Sequence, residues 1–240
     1  MQVLLLHGFR GNHLGLRDVA KFLRREGFEV YVPDLPPMSK YPLEKYDSDH
    51  FSRWVANFIL EKKLNRPVIV GHSLGSIIAA ATAEKYPELI NEKIVFLAPI
   101  SEKPPKLLLP IAPLSAILPN SLLSHITTRY VIIKKDKDTY HNIVDLSTRC
   151  AKKYTSRQDI LKTAIFSETH SISDYHFQRT ALFLAGAKDR LCPESATRTL
   201  ANRLNAQVEF IPNTGHLLNY EEPNLVSEHI TAFLANEAPS

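Results

Sequence analysis

The chain has 240 residues, enough for one large domain or two small ones. With 44 % hydrophobic and 22 % charged residues it has an ordinary globular composition, which excludes collagen-like repeats, a coiled coil and an unfolded chain. The formal charge of +4 points weakly to nucleic acid, but the excess is local: residues 101–178 carry 11 Lys+Arg against 7 Asp+Glu, and the rest is balanced at 18 against 18. No basic run interleaved with aromatics accompanies it, so a solvated basic face is expected rather than a nucleic-acid surface.

The chain opens on Gln2–Leu6, an apolar run too short for a signal peptide and without a basic flank. No later run reaches the 18 or so apolar residues of a membrane span, so no stable membrane insertion is expected. Cys150 and Cys192 are too few for a disulfide framework or a four-cysteine zinc site, and both fit a reducing, cytoplasmic setting.

Six short apolar runs read as strands: Gln2–Leu6, Phe28–Pro33, Pro67–Val70, Lys93–Ala98, Thr180–Ala185 and Gln207–Pro212. They lack the alternation of a half-exposed sheet, as expected of mostly parallel strands covered on both faces. Helical patterns fall between them at Leu16–Arg25, Asp49–Lys63, Leu74–Tyr86 and Glu194–Leu204, and the last spans Pro223–Asn236. In that helix Val226, Ile230, Phe233 and Leu234 share one face, which should pack on the sheet. Gly27 and Pro87 stand where helices should stop. The expected class is α/β, a six-stranded sheet between helical layers.

Between the fourth and fifth strands the rhythm breaks. Residues 101–178 offer no convincing strand and are far longer than a crossover needs. They read as an insertion, a helical lid on a core made of residues 1–100 and 179–240. Its first part, Pro104–Pro119, is apolar and holds five of the chain's 16 prolines. The leucines there either line an apolar mouth or form the segment's own small core. Membrane docking through Leu107–Leu118 is disfavoured because the prolines interrupt the amphipathic helix it would need.

Glycine is scarce, only eight residues, and six of the eight fall at strand ends. The sharpest cluster is Val68-Ile69-Val70-Gly71-His72-Ser73-Leu74-Gly75-Ser76, an apolar strand, then Gly-x-Ser-x-Gly, then a small-residue helix. Such a turn holds its serine strained and exposed at a helix N-terminus, where free N–H groups favour developing negative charge. A serine hydroxyl is a weak nucleophile unless a base takes its proton and a third group holds that base. Later strand ends offer Asp189 and His216, with Glu102 as a substitute acid. The oxyanion of an acyl intermediate needs two N–H donors, for which the backbones of Leu74 and Phe9 are the candidates. His7 is expected to brace the loop after the first strand, and His72 to pack beside the serine turn, rather than take part in the reaction. No histidine pair has metal-ligand spacing, and no metal or cofactor is expected.

His7-Gly8-Phe9, Gly71-His72-Ser73-Leu74-Gly75, Asp189 and Gly215-His216, in that order, resemble the α/β-hydrolase superfamily over nearly the whole chain. Within it the arrangement is similar to small capped bacterial carboxylesterases and related C–C hydrolases, whose lid is inserted where residues 101–178 lie. The antiparallel hairpin that usually precedes the His7 strand is not seen. The resemblance implies a serine hydrolase with Ser73 as nucleophile, His216 as base and Asp189 as its orienting acid. Its expected partner is a small-molecule ester, with no nucleic acid involved. C–C hydrolysis, amide cleavage and acyl transfer use the same site. A ligand-binding or sensor protein with little turnover is the reading from another class.

Overall fold

Along the first strand, β1 (Gln2–Leu6), Val3 and Leu5 face one side and Leu4 and Leu6 the other, and all four are fully buried. An apolar residue at every position suits only a strand covered on both faces. The apolar residues of β3 (Val68–His72), β4 (Lys93–Leu97) and β5 (Thr180–Gly186) are likewise buried whichever face they point to. The computed structural model describes residues 1–103, 120–133, 137–153 and 156–236. With β2 (Glu29–Tyr31) and β6 (Gln207–Ile211) the strands form one sheet in the order β2-β1-β3-β4-β5-β6, every neighbouring pair parallel.

Helices α2 (Ser48–Glu61), α3 (Leu74–Lys85) and α7 (Glu194–Arg203) cover one face, where Phe51, Ile77 and Leu200 pack with Leu4, Ile69 and Phe96. Helices α1 (Arg17–Arg25) and α9 (Pro223–Ala235) cover the other, where Val19, Val226 and Ile230 meet Val3, Val70 and Leu182. This is the six-stranded α/β arrangement the sequence leads one to expect. Gly27 ends α1 in the left-handed region at φ +86, where glycine has no Cβ penalty, and the Phe28 N–H bonds back to the Leu23 carbonyl at 3.1 Å.

Five strands depart from their expected ends, three of them by one residue: β4 stops at Leu97 rather than Ala98, β5 runs on to Gly186, and β6 stops at Ile211 before Pro212. β2 keeps only three residues, since Pro33 closes it at the sheet edge. β3 runs two residues further, because Gly71 and His72 still pair with Phe96 and Leu97 of β4. That extension carries Ser73 to the rim of the sheet. The chain also reverses its direction across the sheet at β1, which lies between β2 and β3. In open parallel sheets such a switch leaves a crevice beyond the carboxyl ends of the strands.

Between β4 and β5 lie α4 (Asn120–Val131), α5 (Lys137–Lys153) and α6 (Arg157–Thr169), with no strand among the described residues. Helix α4 packs on α5, and α6 joins the main core through Phe166, whose ring lies 5.0 Å from that of Phe51. The apolar stretch Pro104–Pro119, including Leu107–Leu118, and the Cys150 side chain lie outside the described residues. Among the described residues no helix is long and apolar enough to cross a membrane.

Candidate active site

The site grows from the turn that joins β3 to α3. Ser73 sits at φ 53, ψ −117, a region that costs a non-glycine residue roughly 1–3 kcal/mol. The surrounding glycines make the turn possible. A Cβ on Gly71 would strike the backbone of Gly75 and Ser76, and a Cβ on Gly75 would strike the Leu6 carbonyl of the neighbouring strand. The turn is locked by the Ser73 N–H on the Leu97 carbonyl at 2.9 Å and the Ser76 N–H on the Ser73 carbonyl at 2.8 Å. Leu74 is the first residue of α3, where a helix leaves its N–H groups without internal acceptors.

His216 arrives from the loop after β6, and its backbone N–H bonds to the Val131 carbonyl at the end of α4, 3.0 Å away. Its Nε2 lies 2.8 Å from Ser73 Oγ, and its Nδ1 lies 2.8 Å from Asp189 Oδ2. With Nδ1–H donating to the carboxylate, Nε2 is left as the acceptor for the serine hydroxyl. Asp189, in the turn after β5, has a fully buried side chain whose Oδ1 accepts the N–H groups of Leu191 at 2.8 Å and Cys192 at 3.0 Å. Burial alone would raise its pKa. The nearby imidazole, its hydrogen bond and the two N–H groups outweigh that and hold it below the usual carboxylate value. Thus the structure brings Ser73, His216 and Asp189 into one hydrogen-bonded chain. Glu102, the substitute acid, stands exposed on the wall of the cavity.

The loop after β1 forms the facing side. His7 Nδ1–H donates to the Gly8 carbonyl at 2.8 Å, and Nε2 accepts the Leu35 N–H at 2.8 Å, so the ring pins this loop to the next. The Gly11 N–H closes a turn on the Gly8 carbonyl at 3.0 Å, which sets Phe9 on the cavity wall. His72 Nε2–H donates to the His216 carbonyl at 3.0 Å. Burial, and then the neighbouring His216, push its pKa down to about 3. His7 thus braces its loop, and His72 packs beside the serine turn against the His216 backbone.

Ser73 and His216 open on a cavity of about 480 Å³ walled largely by apolar side chains, among them Phe9, Leu16, Ile100, Ile126, Val131 and Leu217. The wall residues that the sequence did not single out include Arg10, Glu168 and Tyr220. Arg10, at φ 57, is buried and donates from Nη2 to Ser124 Oγ of α4 at 3.1 Å; burial lowers its pKa. Glu168 reaches the cavity from α6 and Tyr220 from the segment after His216. Only the position of Arg10, directly after Phe9, gave a hint. The others depend on contacts across long stretches of chain.

Asp189, Cys192 and His216 place ligand-type atoms within 4.8 Å of one another. Their chemistry suits a hydrogen-bonded relay better than a metal. Asp189 and His216 already bond each other, and burial pushes the Cys192 thiol well above its ordinary value, so it stays protonated.

Comparison with known proteins agrees with this fold. A model of the alpha/beta hydrolase family matches residues 3–229. The chain is 24 % identical to the uncharacterized hydrolase YugF of Bacillus subtilis over 247 residues, covering 97 % of this chain and 89 % of that one. Among solved structures it superposes on an esterase from Exiguobacterium antarcticum with a TM-score of 0.88 at 16 % identity, covering 98 % of this chain and 92 % of the other. An enol-lactonase from Burkholderia xenovorans gives a TM-score of 0.86 at 14 % identity, with 98 % and 91 % covered.

Proposed function

The chain belongs to the alpha/beta hydrolase family, and on that premise we propose that it is a serine hydrolase cleaving carboxylic esters of small or medium acyl or aromatic groups. The observation that carries the proposal is the pair of 2.8 Å contacts running from Ser73 Oγ through His216 to Asp189. His216 Nε2 takes the hydroxyl proton as Ser73 Oγ attacks the ester carbonyl. Asp189 stabilises the imidazolium that forms and keeps its ring in plane with the attack. The N–H groups of Phe9 and Leu74 receive the oxyanion, which they do without reorganisation because both belong to fixed turns. The tetrahedral intermediate collapses, His216 returns the proton to the leaving alkoxide, and an acyl-serine remains. Water, deprotonated by the same imidazole, then releases the acid and restores Ser73.

Residues 101–178 serve in this reading as a cap on the core formed by residues 1–100 and 179–240. Ile126, Val131 and Ile143 of α4 and α5 complete the apolar wall. Ligand pockets are mostly apolar with a few placed polar groups, and this wall suits an acyl chain or aromatic ring. The neutral His72 beside His216 supports the same chemistry, since a second cation there would oppose formation of the imidazolium.

The test is turnover of p-nitrophenyl acetate and butyrate by Ser73→Ala and His216→Ala. Each substitution is expected to lower kcat by about 10⁴-fold or more while the far-ultraviolet circular dichroism is unchanged. Turnover within tenfold of wild type in Ser73→Ala would remove the serine from the mechanism.

A further inference from the structure

The acid that follows His216 in the chain, Glu221, takes no part in the steps above, yet the residue is buried, only 5 % exposed. It ends the single turn α8 (Leu218–Glu221), and each of its oxygens accepts a different backbone N–H. Oε1 receives that of Gly215 at 2.8 Å and Oε2 that of Ile133 at 2.9 Å. Gly215 directly precedes His216, and Ile133 lies two residues past the end of α4. The same two pieces of chain meet again where the His216 N–H bonds to the Val131 carbonyl at 3.0 Å. They are so close that a Cβ on Gly215 would strike that carbonyl. A buried carboxylate is costly unless hydrogen-bonded, and bonds to a charged acceptor are short and strong. The backbone that carries the imidazole is therefore tied to the segment between β4 and β5 as well as to its own strand.

We propose that Glu221 is a positioning residue for His216. It fixes the imidazole between Ser73 and Asp189 by fastening the His216 loop to the end of α4, so that alignment of the three groups depends on where α4 sits. The inference rests on the reading of Ser73 as nucleophile and His216 as base. A carboxylate that merely stabilised the fold would lower the unfolding midpoint and leave turnover per folded molecule intact.

Full-length Glu221→Ala and Glu221→Gln are compared with wild type on p-nitrophenyl butyrate, well below the unfolding midpoint of each. A misplacement of order 1 Å costs about 100-fold, so kcat should fall by about 10- to 100-fold in Glu221→Ala with KM within about twofold. Glu221→Gln, which keeps one acceptor oxygen, should recover part of that loss. It also decides the matter by the same criteria if the alanine variant does not fold. In a His216→Ala background the further change Glu221→Ala should cost less than about twofold, because groups that act as a unit are not additive. Wild-type kcat in a folded Glu221 variant, or an equal loss with and without His216, overturns the inference. Labelling of wild type by a fluorophosphonate separates the two layers. An unlabelled Ser73 sinks the serine-hydrolase reading and this one with it, whereas normal labelling with unimpaired Glu221 variants sinks this inference alone.

Discussion

Three histidines, His7, His72 and His216, gather at the carboxyl ends of β1, β3 and β6, and their partners set them apart. Only His216 touches a hydroxyl and a carboxylate through its two nitrogens. His7 uses both nitrogens, and His72 its Nε2, on backbone groups, and burial lowers the pKa of both, that of His72 to about 3. This has a consequence for stability. Below the ordinary imidazole value of 6.5 the unfolded chain takes up a proton at position 72, whereas the folded chain refuses it until about pH 3. Stability is therefore full above pH 6.5 and falls as the pH drops toward 3, by up to about 1.4 kcal/mol per pH unit for this one group. His7 acts in the same direction. So does Asp189 below its ordinary value of 3.8, since a lowered carboxylate also loses its contribution as the pH falls. Urea midpoints of wild type should decline between pH 7 and 5, and His72→Gln should show a slope shallower by about one proton. Identical slopes would mean that His72 titrates freely in the folded protein. The sequence suggested a structural role for both rings, but the bond from Leu35 to His7 spans 28 residues and could not be read from it.

At the level of elements, what the sequence revealed best was the junction of β3 and α3, because glycine spacing there reports backbone collisions directly. Gly71 and Gly75 are small for the reasons their spacing suggests: one faces the helix backbone and the other the neighbouring strand. Lys93 is the opposite case. It opens β4, where a lysine looks like an exposed strand end, yet it is buried at 8 % exposure. Its ammonium donates to the carbonyls of Phe233 at 3.2 Å and Leu234 at 3.1 Å, and also to that of Asn236, which caps the C-terminus of α9. The last turn of a helix has carbonyls without internal partners and attracts positive charge. Lys93→Met keeps the apolar stem and removes the donor, so it should lower stability by about 1–3 kcal/mol. Turnover should not change, since β4 begins at the end of the sheet opposite Ser73. An unshifted urea midpoint would show that the cap contributes nothing.

For the whole molecule, the alternation of apolar runs with helical patterns and the order serine, aspartate, histidine were enough to anticipate the parallel sheet and to nominate the residues at its rim. The sequence could not show the cavity, because its walls come from widely separated parts of the chain: Arg10, Ile100, Ile126, Leu191 and Tyr220, among others, meet only through the topology. Nor could it show the clamp by Glu221, whose partner Ile133 lies 88 residues away. The switch of direction at β1 explains why these groups converge, since it opens the crevice over the ends of β1 and β3. The central claim is that this crevice holds one activated serine, and mass spectrometry of the intact protein after brief exposure to a fluorophosphonate tests it most directly. Wild type should gain the mass of a single phosphonyl group, mapped to the peptide containing Ser73, while Ser73→Ala gains none and His216→Ala gains little in the same time. An adduct of equal yield in Ser73→Ala, or one placed on another residue, would contradict the account.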